Sequence, residues 1–229
     1  MAAALGIMCK APRPGLTKTR LAARLGPEKA ARLSACFLKD VADVVLAVPS
    51  ALGRQGYGIY APAGSEAELA ALLPPAFRLL LQEGSDFGLI LGTAVRRLLT
   101  EQAHDCVVLI NADSPTLPAS LLTDTVAALR RCGDRVVLGP AIDGGYTHIG
   151  LKADHPGLFV DIPWSTDAVL ASTLERPPTS AWRPRCSTLG TTSTTRRHSA
   201  SCRTRSQASR RLSPQTGSSA VGRPPRARC

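Results

Sequence analysis

The sequence predicts an α/β fold, a single three-layer domain around a mainly parallel sheet. Three observations carry this prediction. Short apolar runs bounded by turn residues recur through residues 1–176, stretches with helical spacing separate them, and several apolar runs deliver an acid straight into a loop. The chain has 229 residues, enough for one α/β domain with a sizeable core.

The elements follow in order. Residues 5–9 form a short apolar run, the expected first strand. Residues 27–48 carry apolar side chains at helical spacing, opened by Pro27 and Glu28. Strands are expected at 57–61 and 77–81, with a helix at 65–73 between them. Ser65 and Glu68 have the spacing of a capping box at the start of that helix. A helix is expected at 87–102, with Ser85 or Asp86 as its N-cap, then a buried strand at 106–110 (CVVLI). The spacing predicts a helix over 118–131, ended by Gly133, and strands at 135–138 and 146–151. A last helix is expected over 166–174, with Thr166 able to cap it.

Charge separates the chain into two regions. The formal net charge of +11 would suggest a nucleic-acid or membrane-surface partner. Residues 1–176, however, hold 17 Lys or Arg and 17 Asp or Glu, whereas residues 177–229 hold 11 Arg and no Lys, Asp or Glu. The excess is confined to the tail, which argues against nucleic acid as the partner of the body. The tail has neither strand nor helix periodicity and is expected to be basic and disordered. A sharper reading is that residues 177–229 are an out-of-frame translation of a GC-rich gene, because shifted GC-rich codons favour Arg, Pro, Ser, Thr and Ala. Read one base earlier, residues 189–195 can encode a Gly-Tyr-Asp-Val-Asp-Asp run.

Of the seven cysteines, Cys9, Cys36, Cys106 and Cys132 lie in the body, and none has C-x-x-C spacing, so no zinc or redox motif is indicated. Cys9 and Cys106 lie in apolar runs and are expected to be buried. There is no signal-peptide pattern and no run long enough for a bilayer, which makes a cytoplasmic protein the default expectation.

Four segments carry candidate chemistry. The loop at 10–21 places Lys10, Arg13, Lys18 and Arg20 after the first strand, with Gly15 at its turn and Thr19 among the cations. Such a loop suits a diphosphate, although the Walker A spacing is absent. A solvated basic turn is the plain alternative. At 110–118, an apolar strand runs into Asp113 and a proline turn. That carboxylate could ligate Mg²⁺ or Mn²⁺ bridged to phosphates, or could cap the next helix. At 139–146, Asp143 precedes Gly144, Gly145 and Tyr146. Asp143 could bind sugar hydroxyls, act as a base, or merely close a turn. At 161–167, Trp164 could stack on a sugar or pack the core, beside Ser165 and Thr166. His148 reads as a structural strand residue.

Together these segments resemble one family, the small bacterial GT-A proteins described as nucleotide-diphospho-sugar glycosyltransferases, some assigned to arsenosugar biosynthesis. The resemblance rests on K-x-P-x-x-G-x-x-K-T-R-L at 10–21, Q-x-G-x-D-x-G at 82–88, the segment 111–117 with its Asp113-x-Pro115-x-Leu117 spacing, the segment 139–150 opening G-P-x-x-D-G-G-Y, and I-P-W-S-T at 162–166. It implies a nucleotide-sugar donor on Lys10, Arg13, Gly15, Lys18, Thr19 and Arg20, and Mg²⁺ or Mn²⁺ on Asp113. It also implies a catalytic role for Asp113 and Asp143, and sugar or acceptor contacts from Gly144, Gly145, Tyr146, Trp164, Ser165 and Thr166. The implied reaction is metal-dependent glycosyl transfer to a small-molecule acceptor. Asn111, Ser114, Leu89-Ile90 and Thr147-His148 depart from the family pattern, and the family's C-terminal Asp-Val-Asp element is missing from this frame. Two alternatives stand beside this reading: a guanylyltransferase-like nucleotidyltransferase acting on a small phosphorylated acceptor, and a non-enzymatic or inactive protein with a nucleic-acid-binding basic tail.

Overall fold

The computed structural model describes residues 2–176 and 185–186. The described residues belong to one compact unit, and residues 190–229 lie outside them. The expectations of disorder and of an out-of-frame origin for the tail therefore fall almost wholly outside them.

Among the described residues seven strands form one sheet: β1 (Ala3–Lys10), β2 (Arg54–Ala61), β3 (Arg78–Leu81), β4 (Cys106–Asn111), β5 (Val136–Pro140), β6 (Tyr146–Leu151) and β7 (Arg185–Cys186), in the spatial order β3-β2-β1-β4-β6-β5-β7. β1 pairs in parallel with β2 and with β4, β2 in parallel with β3, and β5 in parallel with β7. β6 runs antiparallel to both of its neighbours, β4 and β5. The sheet is thus mainly parallel, as predicted, with one reversed strand. β7 is a two-residue edge strand inside the segment read from sequence as tail.

The helices are α1 (Thr19–Leu25), α2 (Pro27–Ala47), α3 (Glu66–Ala70), α4 (Phe87–Arg96), α5 (Ala119–Leu129) and α6 (Val169–Glu175). A π-helical turn at Arg97–Glu101 continues α4. Strand alternation divides the core into two layers. Leu5, Ile7 and Cys9 of β1 and Val108 and Ile110 of β4 pack with Leu38, Val41 and Val45 of α2 and Leu122, Val126 and Leu129 of α5. On the other face Val107 and Leu109 of β4 pack with Leu91 and Val95 of α4, together with Phe159, Ile162 and Val169. Each such aliphatic side chain contributes on the order of 1.5–3 kcal/mol when fully buried. Burial pushes the thiols of Cys9 and Cys106 up to about 12 and about 11, so both are inert packing residues.

Local signals are modified by distant partners. Ser65 is the N-cap of α3, but its hydroxyl donates to the Pro62 carbonyl and the expected capping box with Glu68 does not form. Glu68 turns instead to Arg13, 55 residues away in sequence. Asp86 does cap α4, accepting from the Leu89 amide at 2.9 Å. α6 starts at Val169 with Ala168 as its N-cap, so Thr166 does not cap it. The Thr166 hydroxyl donates to the Pro163 carbonyl at 2.7 Å and accepts from the Ala168 amide at 3.3 Å.

Candidate active site

The carboxyl ends of β1, β2, β3, β4 and β5 share one edge of the sheet, because β6 reverses direction twice between β4 and β5. The loops after β1, β3, β4 and β5 therefore leave from the same side. The chain passes from β1 to β2 and β3 on one flank, then returns to place β4 on the other flank of β1. That reversal makes the gap between β1 and β4 a topological switch point, the place where open α/β sheets bind ligands.

Lys18 and Asp113 meet across this gap. Asp113 lies two residues beyond β4, and its Oδ1 accepts from Lys18 Nζ at 2.5 Å. Pro118 is the N-cap of α5, which removes the alternative of Asp113 as a helix cap. Lys18 is the N-cap of α1 in the left-handed conformation, with φ 48° and ψ 47°. A non-glycine residue in that region costs on the order of 1–3 kcal/mol and persists only where its surroundings impose it. The ammonium also lies 4.5 Å from the centre of the Phe37 ring on α2, a cation–π contact that the sequence did not signal. The Lys18 side chain is 13% exposed, against 73% for Asp113, so the cation is fixed and the carboxylate faces solvent.

The rest of the basic loop is unequal. Lys10 is the exposed last residue of β1, and Thr19 and Arg20 begin α1, also exposed. Gly15 has φ +78°, a turn that only glycine makes without strain. Thr17 is buried and its hydroxyl donates to the Arg13 carbonyl at 3.2 Å, bracing the turn. Arg13 is already engaged: its guanidinium donates to both Glu68 oxygens, from Nε at 3.0 and 3.1 Å and from Nη2 at 2.7 Å. The Arg13 hydrogen bonds hold the Glu68 carboxyl below its ordinary value.

The glycine loop after β5 carries Asp143 on the same edge. Its Oδ1 accepts from the Gly145 amide at 3.1 Å, so the side chain does close the turn it heads. Gly144 has φ +83°, and a Cβ there would sit 2.0 Å from the Asp167 carbonyl oxygen. The Leu170 amide donates to the Gly144 carbonyl at 2.8 Å, so the third and fourth sequence segments pack as one piece. A cavity of about 320 Å³ lies between Thr116–Pro118 of the β4 loop and Ala141–Asp143 of this turn. Gly145 is half-buried behind Asp143.

Two residues assigned to sugar or acceptor lie partly or wholly in the core. Tyr146 is only 7% exposed and belongs to the second core layer, and burial pushes its hydroxyl above the ordinary tyrosine range. Trp164 is half-buried, edge-on to Phe87 at 5.0 Å and to Tyr146 at 6.5 Å. Ser165 and Thr166 are exposed beside it, Ser165 with φ 66°. The larger cleft, about 430 Å³, runs beside Trp164 along α4, bounded by Leu89, Thr93, Arg96 and Val160. It is not at the basic loop. His148 is buried, with its ring nitrogens 3.0 Å from the Thr125 hydroxyl and 3.1 Å from the Thr147 hydroxyl, and desolvation lowers it to about 4. It is a structural residue.

Residues 39–166 match the family described as uncharacterized proteins conserved in bacteria, DUF2064. The chain belongs to this family. No curated protein matches it. Among solved structures, this DUF2064 chain is similar to a candidate nucleotide-diphospho-sugar transferase from Desulfovibrio desulfuricans G20, with 27% identity over 81% of each chain and a TM-score of 0.68. It shares its fold with a Mycobacterium tuberculosis H37Rv protein, at 14% identity over 82% of this chain and 88% of that one, with a TM-score of 0.50. It also shares it with a 4-diphosphocytidyl-2C-methyl-D-erythritol synthase, at 12% identity over 87% and 95%, again with a TM-score of 0.50. The architecture is that of the nucleotide-diphospho-sugar transferases, the resemblance read from the five sequence segments. Among the described residues no helix is long and apolar enough to cross a membrane.

Proposed function

We propose that this DUF2064 chain is a glycosyltransferase that uses a nucleotide-diphosphate sugar and a small-molecule acceptor. The observation that carries the reading is the Lys18–Asp113 pair astride the β1/β4 switch point. The similarity to the Desulfovibrio protein supports the donor class.

In this reading the donor's diphosphate lies over the basic loop, where Lys18, Arg20 and Lys10 face the negative charge that grows as the sugar–phosphate bond breaks. The acceptor hydroxyl attacks the anomeric carbon, the bond from that carbon to the diphosphate oxygen breaks, and the nucleoside diphosphate leaves. Asp143 takes the hydroxyl proton or orients the sugar from the turn that bounds the smaller cavity. Gly145 lets the backbone approach the sugar, while Gly144 admits the Asp167 backbone behind it. The cleft beside Trp164 is the candidate acceptor channel, and the exposed Ser165 and Thr166 follow Trp164 in the chain.

The family resemblance also implies Mg²⁺ or Mn²⁺ on Asp113. The donor set does not fit a resident ion. Asp113 is a single carboxylate whose Oδ1 already holds an ammonium, and no three His, Cys, Asp or Glu residues cluster into a ligand set among the described residues.

The reading is tested by binding. Calorimetry with UDP, GDP and the matching nucleosides should show the diphosphates bound more tightly, and Asp113→Asn should weaken the diphosphates about tenfold or more. Nucleosides and diphosphates binding alike, or an Asp113→Asn variant indistinguishable from its parent, would remove the basis of the proposal.

A further inference from the structure

We propose that the cation serving Asp113 in the working site is the Lys18 ammonium, and that the chain binds a nucleoside diphosphate without a divalent ion. This rests on the nucleotide reading above and specifies how that site meets phosphate.

Three independent features fix the ammonium. The first is the 2.5 Å contact to Asp113 Oδ1. The second is the Phe37 ring, 4.5 Å from Nζ. The third is the left-handed backbone of Lys18, which sets the departure of the side chain from the helix start at a conformational cost. A surface lysine that drifted onto a nearby acid would need none of this, and its side chain would be far more exposed than the 13% seen here.

A divalent ion at the same carboxylate meets two obstacles. Among the described residues no group of three His, Cys, Asp or Glu ligands forms around it, so phosphates and water must complete its shell. It would also share one carboxylate with a fixed unit positive charge only 2.5 Å away. Lys18 could yield only by leaving Phe37, while its backbone would still hold the strained conformation. Lys10 at the end of β1 and Arg20 in the first turn of α1 belong to the same basic segment, which offers a diphosphate further positive charges. Asp113 thus acts as the positioning residue for Lys18, and Lys18 as the phosphate ligand.

The experiment measures the affinity of UDP and GDP by calorimetry, in EDTA and in saturating Mg²⁺, for the parent and for Lys18→Met and Lys18→Arg. Mn²⁺ binding to the nucleotide-free protein is followed by electron paramagnetic resonance. The parent should bind the diphosphate within about threefold in the two conditions and hold no Mn²⁺ on its own. Lys18→Met should lose about 10- to 100-fold in EDTA, the range of a hydrogen bond to a charged group, and should regain part of it with Mg²⁺ because Asp113 is then bare. Lys18→Arg should keep binding in EDTA within about tenfold. If Lys18→Met does not fold, the parent and Lys18→Arg still decide the matter. A parent that needs Mg²⁺ for more than about tenfold of its affinity, or that binds Mn²⁺ tightly without nucleotide, overturns the inference while leaving the nucleotide reading intact. No diphosphate binding in either condition overturns the nucleotide reading, and this inference with it.

Discussion

The loops that leave β1 and β3 differ in what their polar side chains hold. After β3, Gln82 donates to the carbonyls of Cys9 at 3.1 Å and Ile59 at 2.8 Å, and Asp86 accepts from the first turn of α4. Gly88 lets α4 lie so close to the Pro156–Phe159 turn that a Cβ would be 2.2 Å from the Phe159 carbonyl oxygen. Each of these three positions is used by the fold. After β1 the charged groups meet charges instead: Lys18 faces Asp113, Arg13 faces Glu68, and α1 has no buried residue. Two motifs of similar appearance at one sheet edge therefore have different work, and the difference lies in whether the partner is backbone or another ionised group. A side chain that satisfies buried carbonyls is costly to remove from the folded state, whereas solvent-facing charges such as Asp113 and Arg20 can meet a ligand.

Substitutions should separate the two loops. The largest effect is expected at Gly88→Val, where the new side chain must displace backbone. A loss of about 3 kcal/mol or more, seen as a large drop in melting temperature, is the expected outcome, and an unchanged melt would deny that the β3 loop is structural. Replacing Lys18 and Arg20 together with Ala should act mainly on the ligand: roughly 10- to 100-fold weaker binding of nucleoside diphosphates, little change for the bare nucleoside, and a smaller drop in melting temperature than at Gly88→Val. Equal losses for both ligands would place the cluster on the base or in folding.

Burial sets a third, pH-dependent difference. His148 is lowered to about 4 in the folded chain from its ordinary 6.5, with desolvation as the cause. The unfolded chain therefore binds more protons between these values, so the stabilisation is complete above about pH 6.5 and is lost as pH falls toward 4. By pH 5 the loss is about 2 kcal/mol, and His148→Gln should flatten the melting temperature over that range. An equally steep acid loss in the variant would assign the effect to other groups, such as His104, which desolvation also lowers. The smallest effect is expected at Glu68→Gln, which frees Arg13 for the ligand. Diphosphate affinity should rise by about two- to threefold with the melt unchanged, and a fall in affinity would mean that Glu68 orients Arg13 for phosphate.

Much of the fold was legible in local patterns. Six strands stand where short apolar runs predicted them, and α2, α4 and α5 follow their apolar spacing, because periodicity and turn residues act over neighbouring positions. The site was legible in part. Asp113 and the basic loop are at the same sheet edge because apolar strands deliver them there, and four of the five sequence segments lie within the residues that match the family.

What the amino-acid sequence determined by itself was therefore the element types, the two-faced core and the set of candidate charges. Only the tertiary structure decided the reversal of β6, the diversion of Glu68 from Ser65 to Arg13, the burial of Tyr146, and the Phe37 ring beneath Lys18. The physical reason is range. A helix or strand is chosen by contacts within a few residues, whereas an ion pair such as Lys18–Asp113 joins groups 95 positions apart and exists only once the sheet has brought β1 and β4 together.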